Sequence, residues 1–330
     1  MAEKKQYLVT GAGMLGAYTA RRLLDAGHGV TLLDRQVPHE YLSAVLEGRE
    51  FDTVEVDLTD VEATERVLAG VAERGIDGVV HTAALIAARA QHDVIETLEV
   101  NVAVPLRLAE WAAAAGVRRF VPISSWSVFD EGQTEPITEG SRLATQFTSY
   151  YIASKLSMEH FLSCIANTTG LEVAAIRPAV IYGYGPNLGG SVGSANIEKQ
   201  VLRAIAGEEV VLPSNIISQT ELVYVDDVAA TVVGALTAEL PRRFAWFTAG
   251  SQETTTIEQL ADTLRELFPE AAVSIAPGSD SSVIPPKQDQ PTDLADTLRA
   301  LGIDTPLRRR EGFERFVAEL RAAGAKGIGK

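Results

Sequence analysis

A short apolar run, Tyr7-Leu8-Val9-Thr10, passes into Gly11-Ala12-Gly13-Met14-Leu15-Gly16 and then into an amphipathic helical pattern ending near Ala26. Strand, glycine turn and helix in that order constrain the chain more than any other feature. Gly11, Gly13 and Gly16 allow a tight turn and a close approach of the backbone to a pyrophosphate. The helix N-terminus then offers free N–H groups and a partial positive charge. The next apolar run, Val30-Thr31-Leu32-Leu33-Asp34, ends on a carboxylate 18 residues after Gly16. An acidic group there accepts hydrogen bonds from ribose hydroxyls and repels a 2′-phosphate, so NAD is expected rather than NADP. Arg35 complicates this preference, because it can stack on adenine or accept a phosphate.

Strand and helix patterns keep alternating. Strands are read at residues 51–57, 78–81, 118–125 and 171–176, with helices ending near Glu73, spanning 93–115 and spanning 146–168. Alternation implies a Rossmann-type doubly wound parallel sheet, α/β in class, with right-handed crossovers. Ligands bind such sheets beyond the carboxyl ends of the strands. Gly13, Asp34, Asp57, Ala83, Ser125 and Pro178 all fall at or just after those ends. Thr82-Ala83-Ala84 supplies small residues on which a flat cofactor can lie. Asn101 is a poor mid-helix residue unless its amide has a partner, so a break or kink is expected there, supported by Pro105. After Gly183 the composition turns Gly-, Asn- and Ser-rich. Residues 1–183 are expected to form the NAD-binding domain, with 222–250 returning to it, and 184–330 a smaller C-terminal substrate-binding lobe.

Composition bounds the function. A net charge of −15 over 330 residues argues against nucleic acid and anionic membranes as partners. An anionic nucleotide has to be held by local dipoles against that mean field. No apolar run reaches the ~20 residues of a membrane span, and the N-terminal apolar run is too short for a signal peptide. Cys164, alone in the sequence, cannot form an internal disulfide. It is expected to be a packed thiol in a cytoplasmic protein. His81 reads as a packed histidine, and no metal site is expected because no second His or Cys stands at ligand spacing.

The 146–168 helix carries Tyr150-Tyr151-Ile152-Ala153-Ser154-Lys155. Tyr151 and Lys155, four apart, share a helix face; Tyr150 and Lys155 do not. An ammonium ~5 Å from a phenol favours the phenolate by roughly 3 kcal/mol at an effective dielectric near 20, before any burial cost. Tyr151 is then able to act as an acid or base near neutral pH. The competing reading is a surface tyrosine with a solvated lysine one turn away.

Taken in order, the motifs resemble those of a known family. Thr10 to Gly16, Asp57-Leu58, His81-Thr82-Ala83-Ala84, Asn101, Ser124-Ser125-x-x-Val128-Phe129, Tyr151-x-x-x-Lys155, Arg177-Pro178-x-x-x-Tyr182-Gly183 and Val225-Asp226-Asp227-Val228-Ala229 are similar to the pattern of the extended short-chain dehydrogenase/reductases, the NAD-dependent epimerase/dehydratase family. The resemblance spans nearly the whole chain. It implies a catalytic set of Ser125, which hydrogen-bonds the reacting oxygen, Tyr151, the general acid/base, and Lys155, which holds the nicotinamide ribose and lowers the tyrosine pKa. It further implies that the backbone of Met14 and Leu15 meets the pyrophosphate, Asp57 and Leu58 the adenine, Thr82, Ala83 and Ala84 the ribose side, and Pro178 and Ala179 the nicotinamide. Asn101 belongs to the same cofactor set. Pairing of the 93–115 and 146–168 helices across a homodimer is also implied.

Three positions depart from the family pattern. The glycine turn is one residue shorter than T-G-x-x-G-x-x-G. Phe129-Asp130 replaces Tyr-Gly. The stretch Ser218-Gln219-Thr220-Glu221-Leu222 has Glu221 where nucleotide-sugar members carry an arginine near the diphosphate. An acidic side chain there disfavours a nucleoside-diphosphate sugar. The expected function is therefore an NAD-dependent oxidoreductase acting on a secondary alcohol or ketone of a small polar, sugar-like molecule. A nucleotide-sugar 4-epimerase with tightly held NAD is the alternative, and a catalytically silent NAD-sensing protein is a third. Trp126-Ser127 stand where dehydratases carry an acid pair. Arg89, Ser125, Trp126 and Asn187 are the candidate substrate contacts.

Overall fold

The structure, a computed structural model, describes residues 3–186, 192–217, 219–278 and 288–325. Its first half runs β1 (Gln6–Thr10), α1 (Met14–Asp25), β2 (Gly29–Asp34), α2 (His39–Val45), β3 (Asp52–Glu55), α3 (Val61–Ala72), β4 (Gly78–His81), α4 (Ala87–His92), α5 (Val94–Leu98), a π-helical turn (Glu99–Ala103), α6 (Val104–Ala114), β5 (Arg119–Pro122), α7 (Tyr150–Thr169) and β6 (Glu172–Pro178). The second half adds β7 (Val180–Tyr182), α8 (Val192–Ile205), β8 (Val210–Pro213), β9 (Thr220–Tyr224), α9 (Val225–Thr237), β10 (Phe244–Ala249), β11 (Thr254–Thr255), α10 (Ile257–Leu267), β12 (Val273–Ala276), α11 (Ala295–Leu301) and α12 (Arg309–Ala325).

Seven strands form one parallel sheet in the order β10-β6-β5-β4-β1-β2-β3, a Rossmann-type arrangement. Its central strands are apolar on both faces, as a sheet covered by helices on each side requires. Leu8, Val79, Phe120 and Val173 enter one core layer. Val9, Val80, Val121 and Ala174, one residue on, enter the other. Register places Thr10 opposite both Leu33 and His81, and His81 opposite Pro122, so the strands end on one common edge. β10 pairs with β6 over Phe244–Ala249. The rest of the second half forms a three-stranded sheet, β11-β9-β7, and a two-stranded one, β12-β8, beside that edge.

Several sequence expectations need correction. The helix read from residue 146 starts at Tyr150, because the Ser149 hydroxyl accepts the Ile152 N–H and caps it there. The stretch read as one kinked helix is α5, a π turn and α6 in succession, with Asn101 at the centre of the π turn and Pro105 in the first turn of α6. Cys164 is exposed rather than packed. The loop read up to Ser194 gives way to α8 at Val192. Asn187 and Ser218 lie outside the described residues.

The C-terminal helix closes over the first one. Glu319 on α12 accepts hydrogen bonds from Tyr18, from Arg21 at 3.1 Å and from Tyr224 at 2.5 Å. Arg22 forks onto Asp226 at the start of α9, at 2.9 and 2.8 Å. Among the described residues no helix is long and apolar enough to cross a membrane.

Candidate active site

The glycine turn is shaped by what it must fit between. Gly11 has φ +92°, and a Cβ on it would lie 2.5 Å from the Thr82 hydroxyl. A Cβ on Gly16 would lie 1.9 Å from the Gly11 carbonyl oxygen. Those two glycines let α1 and the end of β4 crowd the turn. Gly13 differs: a Cβ there meets nothing within 4 Å, and the residue opens α1 without any side-chain cap. Open space above an uncapped helix N-terminus suits a pyrophosphate, and it remains although the turn is one residue short. Met14 is half-buried and Leu15 buried, so each offers mainly its backbone.

Around this space stand the other residues expected to hold NAD. Asp34 accepts the Ala12 N–H at 2.7 Å and the Gln36 N–H at 3.1 Å, which fixes its carboxylate beside the glycine turn. Burial pushes the Asp57 carboxyl up, but hydrogen bonds from the Thr59 backbone and hydroxyl and the charge of Arg35 prevail and hold it below its ordinary value. Arg35 is exposed and Leu58 half-buried. Thr82 donates to the carbonyls of Thr10 and Gly11 at 3.0 and 2.9 Å, and the Ala83 N–H donates to Thr10 at 3.1 Å. Ala83 and Ala84 are half-buried just beyond β4. Pro178 ends β6, and the Ala179 N–H donates to the Ala249 carbonyl at 2.8 Å. Gly185 roofs the turn, with Met14 Cβ 3.5 Å from where its own Cβ would be. Its N–H donates to Glu198, whose carboxyl burial pushes up to about 7. These residues fit NAD: they combine a helix N-terminus, a ribose acceptor and a flat small-residue wall. Among the described residues no group of three or more His, Cys, Asp or Glu is placed to hold a metal ion.

On α7 the two adjacent tyrosines separate as helical spacing dictates. Tyr150 is 47% exposed, whereas Tyr151 is half-buried and faces Ser125. Burial raises the Tyr151 pKa, and the hydrogen bond with Ser125 draws it part of the way back. Lys155 is 3% exposed, donates to the Ile123 carbonyl at 2.7 Å and has its ammonium 5.7 Å from the Tyr151 ring centre. Burial lowers its pKa to about 8, against the pull of Glu159. The expectation that Lys155 brings the phenol below its ordinary value is therefore corrected: desolvation raises it, and what draws it back is Ser125, not the ammonium. His81 donates to or accepts from the Thr10 hydroxyl at 2.7 Å, and burial holds its pKa near 3, so it is a neutral packed residue.

Three of these residues, Asn101, Trp126 and Glu221, stand elsewhere than expected. Asn101 is 1% exposed and spends its amide on Leu85, accepting its N–H at 2.8 Å and donating to its carbonyl at 2.9 Å, and on the Ser154 hydroxyl at 3.1 Å. At 1% exposure it anchors the segment after Ala84 to α7 and turns its amide into the fold. Trp126 is 5% exposed and packed in the core, so it lines no substrate space. Arg89 is exposed on the short helix α4, whose Gln91 accepts the Tyr150 N–H. Glu221 is fully buried: its carboxylate accepts from the Gln252 N–H at 2.6 Å, Gln288 Nε2 at 2.9 Å, and the Thr292 N–H and hydroxyl at 2.8 Å each. It staples β9 to two later segments, so its charge does not stand in a ligand site.

Two groups near the site, Glu159 and Ser127, are not singled out by the sequence. Glu159 continues the series Tyr151, Lys155, Glu159 at four-residue spacing, which was the readable signal. It pairs with Arg177, 1% exposed and stacked between Phe129 and Trp246. Ser127 was read only as the lack of an acid. Its hydroxyl lies 2.8 Å from that of Ser125.

Comparison with known proteins places these features in a family. The profile of the NAD dependent epimerase/dehydratase family matches residues 7–244. The UDP-glucose 4-epimerase of Mycolicibacterium smegmatis is 33% identical over 233 residues, covering 69% of this chain and 72% of the relative. A 3 beta-hydroxysteroid dehydrogenase/Delta 5-->4-isomerase of Mycobacterium tuberculosis is 33% identical over 199 residues, 56% of this chain and 49% of its own length. In fold, the Thermotoga maritima UDP-glucose 4-epimerase solved with UDP-glucose superposes with a TM-score of 0.77 at 24% identity, over 96% of this chain and 98% of that one.

Proposed function

Since the chain belongs to the NAD dependent epimerase/dehydratase family, enzymes of the extended short-chain dehydrogenase/reductase type that use NAD, we propose that it is a nucleotide-sugar 4-epimerase. NAD, which the glycine turn at Gly11–Gly16, Asp34 and the wall at Ala83 and Ala84 would hold, would supply reversible hydride chemistry to the site. Tyr151 takes the proton of the sugar hydroxyl and later returns it. Ser125 orients the reacting oxygen. Lys155 keeps a positive charge beside both, and Glu159, itself neutralised by Arg177, sustains that charge.

The observation that carries this reading is the burial of Glu221. Its carboxylate is consumed inside the fold, so the one electrostatic objection to a diphosphate on β9 falls away. The similarity to UDP-glucose 4-epimerases over two thirds of the chain supports the same reading. The test is interconversion of UDP-glucose and UDP-galactose with NAD in catalytic amount, abolished by Tyr151→Phe with NAD binding retained. A general base contributes roughly 10²–10⁴-fold, so residual activity above ~1% in the phenylalanine variant would sink the assignment of Tyr151.

A second reading keeps the same residues for a net dehydrogenation of a secondary alcohol. What favours it is the absence of any cation along β9, Thr220–Tyr224, and a hydroxysteroid dehydrogenase among the relatives. Stoichiometric NADH from an alcohol panel, with no sugar-nucleotide conversion, selects it. We also propose that the protein is a cytoplasmic homodimer joined through α5 and α7, where Ile95 is 69%, Leu98 45% and Phe161 57% exposed. Sedimentation of Ile95→Asp at half the native mass is the expected result, and an unchanged mass refutes this face.

A further inference from the structure

We propose that Glu55 is a second determinant of the choice of NAD over NADP, its carboxylate closing the segment after β2 to a ribose 2′-phosphate. The inference rests on the family's use of NAD and on Asp34 as the ribose acceptor, and not on which reaction the site performs.

The strands β2 and β3 end side by side. Asp34 and Glu55 stand opposite each other in parallel register, and the Val56 N–H donates to the Asp34 carbonyl at 2.9 Å. The chain leaves β2 through Arg35-Gln36-Val37, and each carboxylate takes one amide of that turn. Asp34 accepts the Gln36 N–H at 3.1 Å, and Glu55 accepts the Val37 N–H at 3.1 Å. Successive backbone N–H groups in a turn are the donors an anion uses. Here both are already paired with acids of this chain.

Asp34 also accepts the Ala12 N–H at 2.7 Å. A carboxylate has about four lone-pair sites, so about two remain on Asp34 for the ribose hydroxyls of NAD. In NADP the 2′-hydroxyl is a phosphate. It donates nothing to Asp34 and needs a cation beside it. Arg35 is the cation of this turn, set against the two carboxylates of Asp34 and Glu55, so the turn stays net negative. Loss of the Asp34 charge alone leaves Glu55 on the Val37 amide. Glu55 is exposed, so it acts on a phosphate through a screened charge.

The structural alternative is that Glu55 only ties down the turn. Glu55→Gln separates the two roles, because it keeps an oxygen for the Val37 N–H and removes the charge. The experiment follows the fluorescence of NADH bound to the full chain as NAD or NADP displaces it, in low and in molar salt. Glu55→Gln is expected to leave NAD affinity within about twofold and to tighten NADP about tenfold, the size of one partly screened unit charge. Molar salt removes most of that gain. Glu55→Lys goes further towards NADP although it gives up the hydrogen bond to Val37, which a mere tie cannot produce; it decides the matter alone should the glutamine variant not fold. NADP affinity within about twofold of native in these variants overturns the proposal, as does a gain that molar salt leaves intact. If Asp34→Asn also leaves both cofactors at native affinity, the placement of the ribose at the end of β2 falls, and this inference with it.

Discussion

Replacing Lys155 with methionine should abolish turnover and, at the same time, relieve the fold of a buried charge. Burial lowers the Lys155 pKa from 10.5 to about 8, which corresponds to about 3 kcal/mol of destabilisation at neutral pH. Against that relief, the Ile123 carbonyl loses its donor, a cost of about 1–3 kcal/mol. The net change at pH 7 is thus a difference of similar numbers, and the decisive quantity is its pH dependence. Between pH 8 and 10.5 the unfolded chain holds a proton that the folded chain has released, so raising the pH favours the folded form of the native protein. The penalty is complete below about pH 8 and gone above 10.5. Urea titrations of both proteins at half-unit steps from pH 7 to 10 should show the stability of the native protein gaining on that of Lys155→Met by up to about 1.4 kcal/mol per pH unit within that window. Groups common to both proteins cancel in the difference. A difference that stays flat across the window, or moves the other way, would refute the claim that the lysine is held charged against its desolvation.

Glu221→Gln should leave the affinity for UDP-glucose within about twofold by calorimetry, since the carboxylate faces the fold's interior; Glu221→Ala should cost about 3 kcal/mol or more in urea melts, because several buried donors lose their acceptor together. Gly13→Ala should keep stability within about 0.5 kcal/mol and weaken NAD at least about tenfold, as its methyl projects into the open space over α1. Gly16→Ala should unfold the turn, because the methyl would meet the Gly11 carbonyl at 1.9 Å; near-native melting of that variant would count against the packing described. His81 stays neutral in the fold down to about pH 3 while its unfolded form protonates near 6.5, so the native protein loses stability as the pH falls through that range. His81→Asn should flatten the slope by up to about 1.4 kcal/mol per pH unit, read from urea titrations between pH 4 and 7.

Much of this was legible because it depends on local rules. Period-two and period-3.6 patterns placed the sheet strands and long helices, and four-residue spacing separated Tyr151 from Tyr150. What the sequence hid depends on which way a side chain turns inside tertiary structure. Glu221 reads as a charge beside a ligand until the donors of Gln252, Gln288 and Thr292 are seen closing round it from segments 31 to 71 residues away. Trp126 reads as a pocket wall until the turn at Ser125 buries it. Asn101 signalled that its amide needed a partner, but a π turn that aims it at Leu85 has no sequence marker apart from the asparagine itself. The direction of the Tyr151 shift is hidden for the same reason: spacing gives the distance to Lys155, whereas desolvation requires knowing what surrounds both.

The clasp of Glu319 on Tyr18, Arg21 and Tyr224 sets the order in which this chain can mature on the ribosome. The helix that opens the nucleotide cradle is made long before the residues that close on it from α9 and α12, which stand some 200 and 300 positions later. Until α9 and α12 have been made, the side of α1 that meets them has no native cover, so the nascent protein carries a sticky surface and relies on delay or chaperone shielding. A stop codon that removes α12 would then strand that surface in its unfinished state, far from the lesion in sequence and at the heart of the cradle in space.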